Sequence, residues 1–98
     1  MNPRVEIILD VKPFAVTIKW TNGQTRVVDF NEFLAEERRR ESSIFSRLFN
    51  PETFMKVRTD GRTLYWENLT EMADEKGNSM PAPIDFCPDV LYGVSKVV

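Results

Sequence analysis

The chain has one cysteine, Cys87, in the stretch IDFCPDVLYGVS between Phe86 and Pro88. A thiol becomes a nucleophile when a base, a cation or a helix N-terminus favours the thiolate. Here the sequence supplies only the start of a short helix, PDVLY, and sets Asp85 and Asp89 close by, whose negative charge keeps a thiol protonated. The chain contains no histidine to serve as base. Cys87 is therefore read as a small, half-buried residue at a helix cap, with a reactive thiol as the weaker alternative. One cysteine makes no internal disulfide, and without histidine the familiar zinc sites are out of reach, so neither metal nor cofactor is expected.

Arg38, Arg39 and Arg40 are the second candidate, because clustered arginine recognises phosphate. On a helix, consecutive side chains point about 100° apart. Glu36, Glu37 and Glu41 flank the run at helical spacing, so a solvated face laced with ion pairs is the plainer reading. Asp85 with Asp89, or Asp74 with Glu75, has no basic partner that would split two carboxyl pKa values for acid–base work. The four glycines stand singly at turns, and no phosphate-cradling loop is present. Among the aromatic residues, Trp20 and Trp66 fall on apolar strand faces and read as core. Tyr65 points the other way, beside Lys56 and Arg58, which makes the one basic and aromatic sheet patch that can be constructed.

These residues need elements to position them. Ninety-eight residues, 42% hydrophobic and 29% charged, fit one folded domain over 1–98. The N-terminal stretch MNPRVEIILD breaks its apolar run with Glu6 and Asp10 and carries no cleavage signal, so a cytoplasmic protein without a membrane span is expected. A net charge of −2 argues against a protein built to coat phosphate backbones.

Alternation predicts a strand over VEIILDV, with Val5, Ile7, Leu9 and Val11 facing the core and Glu6, Ile8 and Asp10 facing away. FAVTIKW is the second strand, with Phe14, Val16, Ile18 and Trp20 on one face. A two-residue loop at Asn22-Gly23 would set Lys19 opposite Arg26. A loop of Thr21, Asn22 and Gly23 pairs Val16 with Val28 and Lys19 with Thr25 and is preferred. Asp29 caps a helix with Glu32 three residues on, and Val28 and Phe33 sit where a hydrophobic staple belongs. The helix should bend near Ser42 and Ser43, and a second short one should end at Asn50-Pro51. FMKVRTDGRTLYWE reads as a hairpin about Asp60-Gly61, with Val57 opposite Leu64, Met55 opposite Trp66 and Arg58 opposite Thr63. The segment 68–84 reads as a long polar excursion with a small hairpin at Lys76-Gly77-Asn78, and Pro88 opens a short helix ending at Gly93.

In order along the chain stand VTIKWTNGQTRVVDF, IFSRLFNPETFMKVRTDG, LYW and IDFCPDVLY. Together, over residues 4–95, they resemble a family of small bacterial proteins known as domain of unknown function 2442. EERRRESS and the stretch over 68–84 look like expansions of shorter family connections. The resemblance brings no catalytic residues. Some family members are fused to a helix-turn-helix domain, for which this chain has no room, and many are encoded beside another small protein. It therefore implies a regulatory or paired-partner role in a bacterial cytoplasm.

The expected fold is α+β: an antiparallel sheet built from hairpins, with one or two short helices packed on one face. The expected function is that of a non-enzymatic interaction or regulatory module acting through a protein partner or by self-association. Docking is placed on the proline-free strand Val5 to Val11, through Glu6, Ile8 and Asp10, because Pro81 and Pro83 would blunt the opposite edge. A nucleic-acid-binding regulator using Arg38, Arg39 and Arg40, or Lys56, Arg58 and Tyr65, is the second reading, and an enzyme the third.

Overall fold

The computed structural model describes residues 3–40, 44–73 and 75–98, with backbone alone at 68–73, 80 and 81. Strands β1 (Val5–Lys12), β2 (Ala15–Trp20) and β3 (Thr25–Asp29) form an antiparallel meander. The turn between β2 and β3 holds Thr21, Asn22 and Gly23, closed by Trp20 N–H donating to the Gln24 carbonyl at 2.8 Å. Gly23 supplies the left-handed φ of 85° that this loop requires. Val16 pairs with Val28 and Lys19 with Thr25, the register that avoids opposing Lys19 and Arg26.

Asp29 caps α1 (Phe30–Phe33), its Oδ1 accepting from Asn31 N–H at 2.9 Å and Glu32 N–H at 3.4 Å. Glu32 does not complete a capping box; its carboxylate accepts from Lys96 Nζ at 3.0 Å. At Leu34 the backbone leaves helical geometry before α2 (Ala35–Arg39). Phe30 and Leu34 are both buried, so this break, earlier than the one expected, keeps the apolar side on the core. The bend expected at Ser42 and Ser43 lies outside the described residues.

A 3-10 helix spans Ile44–Phe49, and Asn50 then caps α3 (Pro51–Phe54), accepting from Glu52 N–H at 3.0 Å and Thr53 N–H at 3.2 Å. The 3-10 helix ends at Asn50-Pro51 as expected, and the same pair also starts a new helical turn, which was not expected. Proline at the first helical position behind an asparagine is the physical reason. The turn removes Phe54 and Met55 from the expected hairpin, and Met55 is exposed. Strand β4 (Arg58–Thr59) is short and pairs with β5 (Leu64–Ala73). Asp60 Oδ1 accepts from Arg62 N–H at 2.9 Å and Thr63 N–H at 3.0 Å, which widens the loop and sets Arg58 opposite Tyr65 rather than Thr63. A slip of two residues preserves face parity, so Val57, Leu64 and Trp66 remain buried.

Strand β6 (Ser79–Asp85) returns along β5, with Gly77 at φ 81° in the turn. The stretch over 68–84, expected as an irregular excursion, is thus largely an extended hairpin turning where the small one was expected. Cys87 and Pro88 open α4 (Pro88–Val94), and β7 (Lys96–Val97) adds to β3. The fold is α+β, with the antiparallel hairpins parted into a sheet of order β1-β2-β3-β7 and one of order β4-β5-β6. A shared aromatic core joins them: the Phe30 ring lies 5.3 Å from Phe54, 5.5 Å from Trp66 and 5.7 Å from Phe86, each edge-on.

Candidate interaction surface on strand β1

Strand β1 is one edge of the four-stranded sheet, the two-residue β7 being the other, and beyond Val5 its outer side pairs with no other strand among the described residues. Its ladder to β2 breaks step twice: Val5 faces Trp20 and Ile7 faces Lys19, then Ile8 faces Ile18 and Asp10 faces Thr17. Glu6 and Leu9 are the extra residues of two bulges. Each bulge turns two successive side chains to the same face. The core therefore receives Val5, Ile8 and Val11, while Glu6, Ile7, Leu9 and Asp10 stand in solvent.

This corrects the expected alternation. Ile7 and Leu9, expected inside, are 47% and 50% exposed. Ile8, expected to point away from the core, packs against it. Glu6 and Asp10 point outward as expected; Glu6 lies 3.6 Å from Lys19 and Asp10 lies 3.9 Å from Lys12. All four of these charged groups are well exposed, so the pairs are screened and weak. At the start of the strand Val5 N–H donates to the Arg62 carbonyl at 3.0 Å, and at its end Pro13 follows Lys12. The outer edge of the three-stranded sheet is β6, which carries Pro81 and Pro83.

The arginine run divides by role. Arg38 lies over the rings of Phe49 and Phe14, 4.9 and 5.5 Å from their centroids, and donates to Asn31 Oδ1. Arg39 lies 3.8 Å from Glu36, one helical turn back, and the Arg40 N–H closes the helix on the Glu37 carbonyl. Nothing in the local pattern marks Arg38, because its ring partners are distant in sequence.

Arg58 and Tyr65 stand directly opposite each other, with Lys56 exposed nearby in sequence. Two acids border them: Glu67 lies 3.4 Å from Arg58, and Asp85 is the β6 neighbour of Tyr65.

Cys87 holds the N-cap position, without a side-chain capping bond, and is exposed rather than half-buried. Asp89, expected near it, lies 2.7 Å from Arg4. Asp74 lies outside the described residues. An open cleft of about 410 Å³ lies between α1 and α4, lined by Asp29, Glu32, Phe33, Gly93, Val94, Ser95 and Lys96. Its charged groups are satisfied at home: Asp29 caps α1, and Glu32 holds Lys96. Among the described residues no three Cys, Asp or Glu side chains converge as metal ligands do, and no helix is long and apolar enough to cross a membrane.

Comparison of the chain with protein-family models, with curated proteins and with solved structures finds no match.

Proposed function

We propose that the protein is a non-enzymatic interaction or regulatory module of the bacterial cytoplasm, acting through a protein partner that docks on strand β1. The observation that carries this reading is the pair Ile7 and Leu9, half exposed on the solvent face of an edge strand. Exposed branched residues on an edge strand, here beyond the Val5 N–H that bonds Arg62, are the raw material of strand addition. The resemblance to domain of unknown function 2442 points the same way. The nucleic-acid reading has less support, since Arg39 and Arg58 each stand beside a glutamate.

The test is affinity capture from a bacterial lysate, comparing wild type with the Ile7→Ser/Leu9→Ser variant. Near-UV circular dichroism verifies that the variant keeps its aromatic core. A protein retained by wild type and lost by the variant is the expected result. Equal retention by both, or retention of nothing but nucleic acid, overturns the proposal.

A further inference from the structure

The bulges of β1 restrict how the strand can pair with a second copy of itself, which regular alternation would not do. Around Ile8 the strand reads the same in both directions: Val5, Ile8 and Val11 turn to the core, while Glu6 with Ile7, and Leu9 with Asp10, turn to solvent. An isologous antiparallel pair of such strands places one residue opposite itself. Residues directly opposed across a ladder share a face.

Centring the pair on Leu9 sets core-facing Ile8 against solvent-facing Asp10 and is excluded by that rule. Centring it on Ile7 sets Glu6 against Ile8 and fails in the same way. Only the register centred on Ile8 keeps every face matched, and it places Glu6 against Asp10 of the second copy, twice. Directly opposed like charges destabilise a strand pair. Lys19 beside Glu6 and Lys12 beside Asp10 are exposed partners within each copy and leave that opposition in place.

We infer that the β1 edge rejects a second copy of this chain and accepts an extended segment of a partner that presents basic side chains toward Glu6 and Asp10. This rests on the functional reading above and names the chemistry of its partner. Apolar contact with Ile7 and Leu9 supplies attraction, and the flanking acids select. Backbone pairing is common to any extended segment, so the side-chain charges decide which segment binds. The edge is thereby open to a complementary segment and closed to aggregation with itself.

The chain can be turned into its own probe. In the Glu6→Lys/Asp10→Lys variant the matched register again opposes like charges within a homodimer. Mixed with wild type it opposes unlike charges at both positions. Sedimentation velocity at low ionic strength should show wild type alone and the variant alone as monomers. A one-to-one mixture should form a heterodimer at least about tenfold tighter than either homodimer, weakening as salt is added.

If wild type alone dimerises and the double substitution abolishes the dimer, the inference is wrong. It is equally wrong if the mixture stays monomeric. Should the double variant fail to fold, Glu6→Lys alone decides: its new lysine faces Asp10 of the second copy, so it must self-associate where wild type does not. A monomeric mixture together with successful capture through Ile7 and Leu9 sinks this inference and leaves the functional proposal standing.

Discussion

The indole Nε1–H of Trp66 donates a 3.1 Å hydrogen bond to the carbonyl of Phe54, whereas Nε1 of Trp20, equally buried, has no hydrogen-bond partner among the described residues. Two tryptophans that look alike in sequence are thus unlike in energy. Trp66→Phe removes a bond that ties β5 to α3, leaving the Phe54 carbonyl with the Val57 N–H at 3.2 Å. Trp20→Phe deletes a donor whose burial is uncompensated. Both lose ring volume, but only the first loses a bond, so Trp66→Phe should be the more destabilising by about 1 kcal/mol. Urea denaturation midpoints at equal m-values measure the difference; a costlier Trp20→Phe would refute the assignment.

Of the three arginines in the run, Arg38 should matter to stability and Arg39 should not. The Arg38 guanidinium covers two phenylalanine rings from different parts of the chain and bonds to Asn31, whereas Arg39 has a single exposed ion pair. Arg38→Ala should cost about 1 kcal/mol, and Arg39→Ala less than about 0.5 kcal/mol. Arg38→Lys recovers only part of the loss, because an ammonium lacks the planar group that stacks. Thermal denaturation of the three variants side by side checks the order.

What could be read from the sequence was local. The Asp29 cap, the Gly23 turn with its register and the Cys87-Pro88 helix start each rest on residues within a few positions of one another, and the structure has all three. The failures lie where an extra residue or a distant partner decides. Two bulges reverse the faces of Ile7, Ile8 and Leu9 in β1, and a period-two reading cannot foresee an unpaired residue. The helix stop at Asn50-Pro51 is present, but the same pair also starts α3, which the pattern hides because apolar Phe54 and Met55 fit a strand equally well. The Arg38 stack and the pairing of Glu32 with Lys96 join residues far apart in the chain, beyond the reach of any local pattern.

Asp60 gives the fold a pH-dependent element. Its carboxylate accepts the Thr63 N–H first of all; burial opposes this as the next largest effect, and the Arg62 N–H with the Arg62 charge nearby helps to hold the pKa below the ordinary value of 3.8. A depressed folded-state pKa stabilises the fold fully above the unfolded value. That contribution is lost as pH falls through 3.8 and then through the lower folded value. Asp60→Asn keeps an acceptor oxygen but does not titrate. The stability difference between wild type and Asp60→Asn should therefore favour wild type at pH 6, shrink below pH 4, and be smallest near pH 2. A difference independent of pH across that range would show that the Asp60 charge contributes nothing to the loop.

The faces of β1 can be tested residue by residue, and the order of costs separates the bulged strand from a regular one. A regular strand would bury Ile7 and Leu9 and expose Ile8; the bulged strand exposes the first two and sets Ile8 opposite Ile18 against the core. Ile7→Ala and Leu9→Ala should each change stability by less than about 0.5 kcal/mol, as surface substitutions do. Ile8→Ala should cost about 1–2 kcal/mol, below the usual range for a fully buried isoleucine because the side chain is only partly covered. Val5, fully buried and bonded through its N–H to the Arg62 carbonyl, should lose about as much on truncation to alanine despite its smaller side chain. Chemical denaturation of the four single variants gives the order directly. If Ile7→Ala proved costlier than Ile8→Ala, the strand would be regular in solution. Every antiparallel self-register of a regular strand keeps its faces matched, so the register centred on Ile8 would lose its uniqueness and the opposition of Glu6 and Asp10 would no longer guard the edge.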